Sequence, residues 1–182
     1  AGGTDDSAVD VATRTATLNV EAGEAVACTF VDGWESGDVA SRNQLAWDLS
    51  TDWFAAYNTI YASTFGTIEV GIAGASGYSL RFTTPTRVTN YFVQTATPAA
   101  LNADVVDGTT SSAGQFGGET LALRMNIDFS AAGALGGTTA FGSLRLCNTT
   151  DASLNGQSVT DVLGIANVLL GGGSNGFAIT PI

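Results

Sequence analysis

Alternation of apolar and polar residues is the strongest pattern along this chain, and it predicts strands. From Val9 to Val20 one face carries valine and threonine, while the other carries mostly alanine, leucine and valine. Residues Glu119 to Phe129 alternate more regularly still, with these apolar residues on one side: Leu121, Leu123, Met125, Ile127 and Phe129. Such alternation is typical of half-buried strands. We therefore predict a strand over 119–129 and another over 9–20, the latter about 40 Å long.

Shorter apolar runs predict further strands at 24–32, 67–72, 78–83 and 141–147. A glycine-rich stretch separates 67–72 from 78–83, which predicts a hairpin. Helices are predicted where start signals occur, at Ser50 or Thr51, Thr84-Pro85, Thr97-Pro98 and Ser158. These elements together favour a mainly β or α+β fold, a β-sandwich-like domain with two to four short helices.

Two of the predicted helices have detailed patterns. After Ser50, the large residues Trp53, Tyr57, Ile60 and Tyr61 share one helical face. Ser158 and Asp161 form a capping box in front of Val159 to Leu170, and Gly171 would supply the left-handed stop. At the other end of the chain, we predict an extended arm or strand over residues 1–20. We expect a single globular domain over 21–182.

Composition excludes several classes of function. The chain has 182 residues, no His, six basic residues that are all Arg, and a net charge of -11. Without imidazole or amine side chains there is no Ser-His-Asp triad, no Schiff base and no P-loop lysine. The acidic balance argues against nucleic acid as a partner. No apolar run approaches the length of a membrane span.

Cysteine usage bears on the compartment. Cys28 and Cys147 do not have metal-site spacing, and a low-charge chain with an even cysteine count is typical of secreted proteins. We expect a disulfide between them, since both lie in predicted strands; two unpaired buried cysteines are the alternative. The start Ala1-Gly2-Gly3 suits a mature protein after signal cleavage. Asn148 lies in the sequon Asn-Thr-Thr, whose glycosylation the sequence leaves open.

Acids and aromatics are concentrated between residues 32 and 61. All three tryptophans lie there, and we consider Trp34, Trp47 and Trp53 as glycan-binding residues. Packing of an amphipathic helix is the alternative interpretation. A glycoside hydrolase based on two carboxylates is the least favoured function, with Glu35 and Asp52 as its pair among the following acids: Asp32, Glu35, Asp38, Asp48 and Asp52.

Calcium is the one cofactor that the composition leaves open. The many acids lack basic partners, and Asp104 and Asp107 lie three residues apart in a predicted loop. Carboxylate and carbonyl oxygens are the ligands that calcium prefers. No EF-hand loop is present, so these two aspartates are weak candidates.

About half of the chain resembles an uncharacterised group of secreted bacterial surface or matrix proteins. The resemblance rests on three segments: IEVGIAGASGYSLRFTTPTRVTNYF (68–92), TPAALNADVVDGTTSSAGQFGGETLALRMNIDFSAAG (97–133) and LNGQSVTDVLGIANVLLGGG (154–173). These segments carry no known catalytic motif. The resemblance implies an extracellular location, at the cell surface, and leaves the biochemistry open.

The sequence favours a non-enzymatic structural protein that assembles with other copies of itself. An arm that leaves its own domain can add a strand to a neighbour's sheet, and such a head-to-tail contact propagates into a filament. The arm residues are Val9, Val11, Thr13, Thr15, Leu18 and Val20. An edge strand within its own sheet is the alternative for this segment. An extracellular glycan-binding or adhesive module is the alternative function.

Overall fold

The structure is a computed structural model, and it describes residues 8–10, 15–17 and 39–179. The chain divides into two compact units, Ala1–Trp34 and Glu35–Ile182. In the first unit, strands β1 (Ala8–Asp10) and β2 (Thr15–Thr17) pair antiparallel, with Val9 opposite Ala16. The chain therefore reverses direction between these strands.

This reversal corrects the prediction of one continuous strand over 9–20. Of the predicted arm residues, Val9 lies in β1 and Thr15 in β2, while Val11, Thr13, Leu18 and Val20 lie outside the described residues. Alternation was a correct indicator of strand structure here. It carries no information on where the chain turns, because a hairpin and a single strand share the same period.

The second unit is built mainly from helices. Its elements in chain order are α1 (Gln44–Asp48), α2 (Phe54–Ile60), β3 (Ile68–Gly71), β4 (Ser79–Phe82), α3 (Pro85–Tyr91), β5 (Val105–Val106), α4 (Gly114–Ala131) and α5 (Val159–Leu170). Short 3₁₀ turns lie at Ala62–Thr64, Phe141–Ser143 and Ala152–Leu154. In the described part of the chain, no helix combines the length and hydropathy needed to cross a membrane.

The sheet of this unit has the strand order β3-β4-β5. Strands β3 and β4 form the predicted hairpin, antiparallel with Val70 opposite Leu80, and β5 runs parallel to β4. One face of the hairpin is buried, and its residues are Ile68, Val70, Leu80 and Phe82. The opposite face carries the pair Glu69 and Arg81. The hairpin prediction is confirmed.

Helix α4 replaces the strand predicted over 119–129. Its buried apolar positions include Leu121, Ala122, Met125 and Phe129, a spacing of three to four residues that belongs to a helix. Leu123 and Ile127 are only half-buried. The prediction failed because Ala122, which alternation places on the side opposite the five apolar residues, packs inward. Leucine, alanine, arginine and methionine also favour helix over strand.

Aromatic rings pack around the C-terminal half of α4. Trp47 of α1 and Trp53, just before α2, both meet Phe129 edge-on, with ring centroids 5.0 Å and 6.1 Å apart. The two tryptophans also pack against each other at 5.6 Å. Tyr57 and Tyr61 continue this cluster along α2. The helical face predicted from Trp53, Tyr57 and Tyr61 is therefore confirmed as a core-facing surface.

At Gly118, in its second turn, α4 approaches α1 too closely for any side chain larger than that of glycine. A Cβ atom on Gly118 would lie 1.9 Å from Oε1 of Gln44. That amide is held in place, since its Nε2 donates to Glu119 at 2.7 Å and its Oε1 accepts from the Gln94 backbone N–H at 3.0 Å. Close packing here outweighs the low helix propensity of glycine.

Helix caps agree with the local sequence. Ser158 Oγ accepts from the Asp161 N–H at 3.0 Å, and the Asp161 carboxylate accepts from the Ser158 N–H at 2.9 Å, so the capping box is confirmed. The stop lies one residue later than predicted, because Gly172 has the left-handed φ of +84° and Gly171 does not. Thr84 caps α3 as predicted.

The remaining corrections concern the fold class. Residues 141–147 form a 3₁₀ turn followed by a single bridge from Arg145 to Ser158, not a strand. Thr97-Pro98 does not start a helix. The predicted mainly β or α+β sandwich with two to four short helices is wrong. In its described residues the second unit has one three-stranded sheet and five α-helices, the longest of which is α4.

Truncation of two leucines distinguishes a helix from a strand over residues 119–129. Leu121 is fully buried, so Leu121→Ala should lower the free energy of unfolding by about 2–5 kcal/mol. Leu123→Ala should cost clearly less, because Leu123 is half-buried in the helix. Urea denaturation followed by circular dichroism measures both. Equal losses would contradict the helix, since a strand places both leucines on one face.

Candidate functional site

A cleft of about 560 Å³ opens at the surface of the second unit. It lies where the turn after α2, the hairpin β3-β4 and helices α4 and α5 come together. Its polar and aromatic lining includes Tyr61, Phe65, Glu69, Arg81, Arg124 and Asn167. A recess of about 390 Å³ adjoins it and shares Tyr61, Thr64 and Arg124. Both volumes lie within the range of small-ligand sites.

Phe65 stands at this cleft with its side chain almost wholly in solvent. It is 96% exposed and has a left-handed φ of +55°. Two backbone hydrogen bonds explain the conformation: the Gly66 N–H donates to Tyr61 O at 2.8 Å and the Phe65 N–H donates to Ala62 O at 3.2 Å. This is the Schellman arrangement, which closes a helix and normally places glycine at the left-handed position.

The turn that carries Phe65 is tied down on both sides. Thr64 Oγ1 contacts Tyr61 O at 3.0 Å and Thr67 O at 2.6 Å, and the Thr67 N–H donates to Thr64 O at 3.1 Å. A phenylalanine in left-handed backbone costs on the order of 1–2 kcal/mol relative to glycine. The surrounding hydrogen bonds therefore maintain a strained residue whose ring contributes little to the core.

The carboxylate of Asp128 binds both the buried residue Tyr61 and the cleft residue Arg124. Its Oδ2 accepts from the Tyr61 hydroxyl at 2.8 Å and from Arg124 Nε at 2.5 Å. Tyr61 is 4% exposed, and burial together with the charge of Asp128 raises the pKa of its phenol far above the ordinary value. The phenol therefore stays protonated and remains a donor, and the terminal nitrogens of Arg124 are left for the cleft.

The strand side of the cleft is also held by polar contacts. Ser79 Oγ donates to Glu69 Oε1 at 2.7 Å, and the Gly71 N–H donates to Asn167 Oδ1 at 2.9 Å. The second contact ties β3 to α5. Glu69 and Arg81 are cross-strand neighbours on the same face of the hairpin. These groups give the cleft a fixed set of donors and acceptors.

The tryptophans predicted to bind glycans are not at this cleft. Trp47 is fully buried and Trp53 is 3% exposed, so both belong to the core. Trp53 Nε1 donates to the Trp47 carbonyl at 2.9 Å. Trp34 lies outside the described residues. Large aromatic side chains gain most by burial, which is why Trp47 and Trp53 lie in the core and not at the surface.

The two aspartates considered for calcium are held apart. Asp104 Oδ1 accepts from the Ser79 N–H at 2.8 Å, at one end of β4. Asp107 accepts from the Thr83 N–H at 2.8 Å and from its hydroxyl at 2.7 Å, just past the other end. Each carboxylate therefore caps a strand. Among the described residues, no three His, Cys, Asp or Glu side chains come together as a metal site.

Of the two acids proposed as a hydrolytic pair, Asp52 is the one that lies among the described residues. Arg42 binds Asp52 through two hydrogen bonds of 2.8 Å, and this contact, with the Ser50 hydroxyl, holds the pKa of Asp52 well below its usual value. Asp48 lies at the end of α1. The remaining acids of the group lie outside the described residues: Asp32, Glu35 and Asp38.

The predicted disulfide between Cys28 and Cys147 is wrong. The Cys147 thiol is free and exposed. The prediction assumed that residues 141–147 form a strand facing the core, but Cys147 follows a 3₁₀ turn and lies in a loop. Cys28 lies outside the described residues. Asn148, next to Cys147, is exposed with a left-handed φ of +54°.

Comparison of the chain with protein-family models, with curated proteins and with solved structures gives no match. The candidate site therefore depends on geometry alone. Its central residues, Phe65, Arg81 and Arg124, were not selected from the sequence. One local signal could have found Phe65: glycine follows it in Phe65-Gly66, one position after the place where a helix stop needs glycine.

Buried tyrosines around the cleft and core predict a loss of stability at alkaline pH. Burial raises the pKa of Tyr91 to about 12, and it raises the pKa values of Tyr57 and Tyr61 further. A tyrosine in the unfolded chain ionises near pH 10. Above that pH the unfolded chain loses protons that the folded chain keeps, so the free energy of unfolding falls.

For each such tyrosine, the free energy of unfolding should fall by about 1.4 kcal/mol per pH unit. Tyr61→Phe removes one ionising group, and its stability should fall less steeply between pH 10 and 11.5. Urea denaturation at closely spaced pH values measures both slopes, with circular dichroism at pH 8 as the check on folding. Identical slopes for the variant and the parent would contradict the assignment.

Proposed function

We propose that this protein is a non-catalytic extracellular glycan-binding module and that the cleft beside Phe65 holds the sugar. The observation that carries the proposal is Phe65 itself, 96% exposed and in left-handed backbone. Glycine would close the same turn without strain. A ring kept in solvent at this cost is more useful for a ligand than for the fold.

The cleft offers what a sugar ring needs. The C–H face of a pyranose stacks on an aromatic ring, while its hydroxyl groups exchange hydrogen bonds with polar side chains. Phe65 supplies the ring, and Arg81, Arg124 and Glu69 supply donors and an acceptor within the same cleft. Strands β3 and β4 and helix α4 carry the polar groups, so they are positioned before a ligand arrives.

The arrangement of carboxylates supports a binding role over hydrolysis. A glycosidase needs two available carboxyl groups about 5 to 9.5 Å apart. Among the described residues, Glu69 is the acid that lines the cleft, and its Oε1 accepts a hydrogen bond from Ser79. Asp128, in the adjoining recess, is bound by both Tyr61 and Arg124. Neither carboxylate is placed as a nucleophile or as a proton donor.

Filament assembly through the N-terminal arm stays a prediction from the sequence. The antiparallel pairing of β1 with β2 removes the argument from strand length. Part of that argument concerned the residues between and after these strands, which lie outside the described part of the chain. The sequence-based expectation of an extracellular location suits both functions.

Replacing Phe65 separates binding from folding. Phe65→Gly should lower the affinity for a bound polysaccharide at least tenfold, because the stacking ring is lost. The same change should raise the free energy of unfolding by about 1 kcal/mol, since glycine accepts the left-handed backbone without strain. A glycan array identifies the polysaccharide, isothermal titration calorimetry measures the affinity, and thermal unfolding measures the stability.

Tyr78→Ala is the matched control. Tyr78 is a 41% exposed aromatic residue that does not line the cleft, so its loss should leave the affinity unchanged. If no glycan on the array binds the parent protein, the proposed function is wrong. It is also wrong if a glycan binds and Phe65→Gly binds it as tightly as the parent does.

A further inference from the structure

Two arginines face the same cleft in a protein that has very few basic residues. The chain carries six arginines, no lysine and a net charge of -11. Arg81 comes from β4 and Arg124 from α4, and both line the cleft of 560 Å³. Positive charges that converge in a concave site raise the local concentration of anions. Two acids, Glu69 and Asp128, stand beside these two arginines, whereas the chain as a whole carries a large excess of acids.

Arg81 would be expected to pair with Glu69, its cross-strand partner in the register of the hairpin. Opposite charges at such positions normally attract each other. The Glu69 carboxylate instead accepts the Ser79 hydroxyl at 2.7 Å. In the described part of the chain the two ion pairs are Arg42–Asp52 and Arg124–Asp128, and neither includes Arg81. Its guanidinium therefore keeps its hydrogen-bonding capacity for a ligand.

Arg124 is paired, but through one edge only. Its Nε donates to Asp128 Oδ2, which leaves the two terminal nitrogens with four N–H groups. Tyr61 donates to the same oxygen of Asp128, so the carboxylate is shared between the phenol and the guanidinium. The Arg124 side chain is 37% exposed. Asp128 thus positions Arg124 with its terminal nitrogens available to solvent and to a ligand.

We propose that the glycan is an acidic polysaccharide and that Arg81 and Arg124 bind the carboxylate groups of its uronic acid residues. This inference rests on the function proposed above and names the class of its ligand. Guanidinium groups bind carboxylates through paired, charge-assisted hydrogen bonds. Glu69 lines the same cleft as an acceptor and can take a sugar hydroxyl, but it disfavours a second carboxylate nearby.

The negative net charge of the protein makes binding of an acidic polysaccharide selective. A protein with a net charge of -11 repels a polyanion at long range, so non-specific attraction does not produce binding. Binding therefore needs direct contacts from guanidinium N–H groups that the local acids, Glu69 and Asp128, leave free. Moderate salt should therefore screen the repulsion over distances beyond about 8–10 Å, while the direct arginine contacts are weakened less.

The test compares three probes with one protein. Isothermal titration calorimetry at 0.15 M NaCl uses polygalacturonate, the same polymer with its carboxyl groups reduced to alcohols, and a sulfated galactan. The expected result is that polygalacturonate binds, that carboxyl reduction lowers the affinity at least tenfold, and that the sulfated polymer binds more weakly than polygalacturonate.

Arg81→Gln is the main variant, because Arg81 has no ion pair within the described residues and its loss should not affect folding. Its affinity for polygalacturonate should fall at least tenfold. Arg87→Gln is the matched control: it makes the same change of charge at an exposed residue of α3 that does not line the cleft, and it should bind like the parent. Thermal unfolding of both variants checks the fold.

The other outcomes separate failure of acid recognition from failure of the glycan site. If the reduced polymer binds as well as polygalacturonate and Arg81→Gln has no effect, acid recognition is wrong, while loss of that binding in Phe65→Gly still supports a glycan site. Tighter binding of the sulfated polymer would overturn the choice of carboxylate. If none of the three polymers and no glycan on the array binds, the proposed function itself fails.

Discussion

The packing of one helix, α4, against aromatic rings is the interaction on which the second unit depends. Met125 and Phe129 are fully buried on its inner face, and Phe129 meets both Trp47 and Trp53. The same helix turns Arg124 toward the cleft and Asp128 toward the adjoining recess, each one position earlier along the chain than a buried residue. A helix repeats every 3.6 residues, so a buried face and a functional edge can share a single element. Core packing thereby fixes the position of the cationic side chain.

Parts of the fold governed by local chemistry could be predicted from the sequence. The capping box at Ser158, the cap at Thr84 and the hairpin of β3 and β4 depend on backbone groups within a few residues, and all three are confirmed. Helix α4 depends on distant partners. Asn126, on its inner face, exchanges two hydrogen bonds with the backbone of Arg42, at 2.7 Å and 2.8 Å. A buried asparagine with a remote partner looks polar in sequence, and this made the alternating pattern appear more regular than it is.

The candidate site could not be predicted, for a related reason. Interest in the tryptophans came from their chemistry as sugar-stacking rings, but a large aromatic residue gains more free energy from the core than any other side chain can. What distinguishes Phe65 is its backbone and not its residue type. Its left-handed φ arises from the Schellman closure at Tyr61 and Ala62. A pattern of apolar and polar positions contains no information on such a closure, although the misplaced glycine at residue 66 hints at it.

Placement of the few basic residues links the composition to the cleft. Arg42 is held by Asp52 and lies over the ring of Trp47, 5.0 Å from its centroid, while Arg145 donates to the Gly156 carbonyl. These two arginines serve the structure. Arg124 is shared between structure and cleft, and Arg81 faces the cleft without an ion pair in the described part of the chain. Charges beyond about 8 Å are largely screened at physiological ionic strength. The potential inside the cleft is therefore set at close range by Arg81, Arg124, Glu69 and Asp128, and not by the net charge of -11.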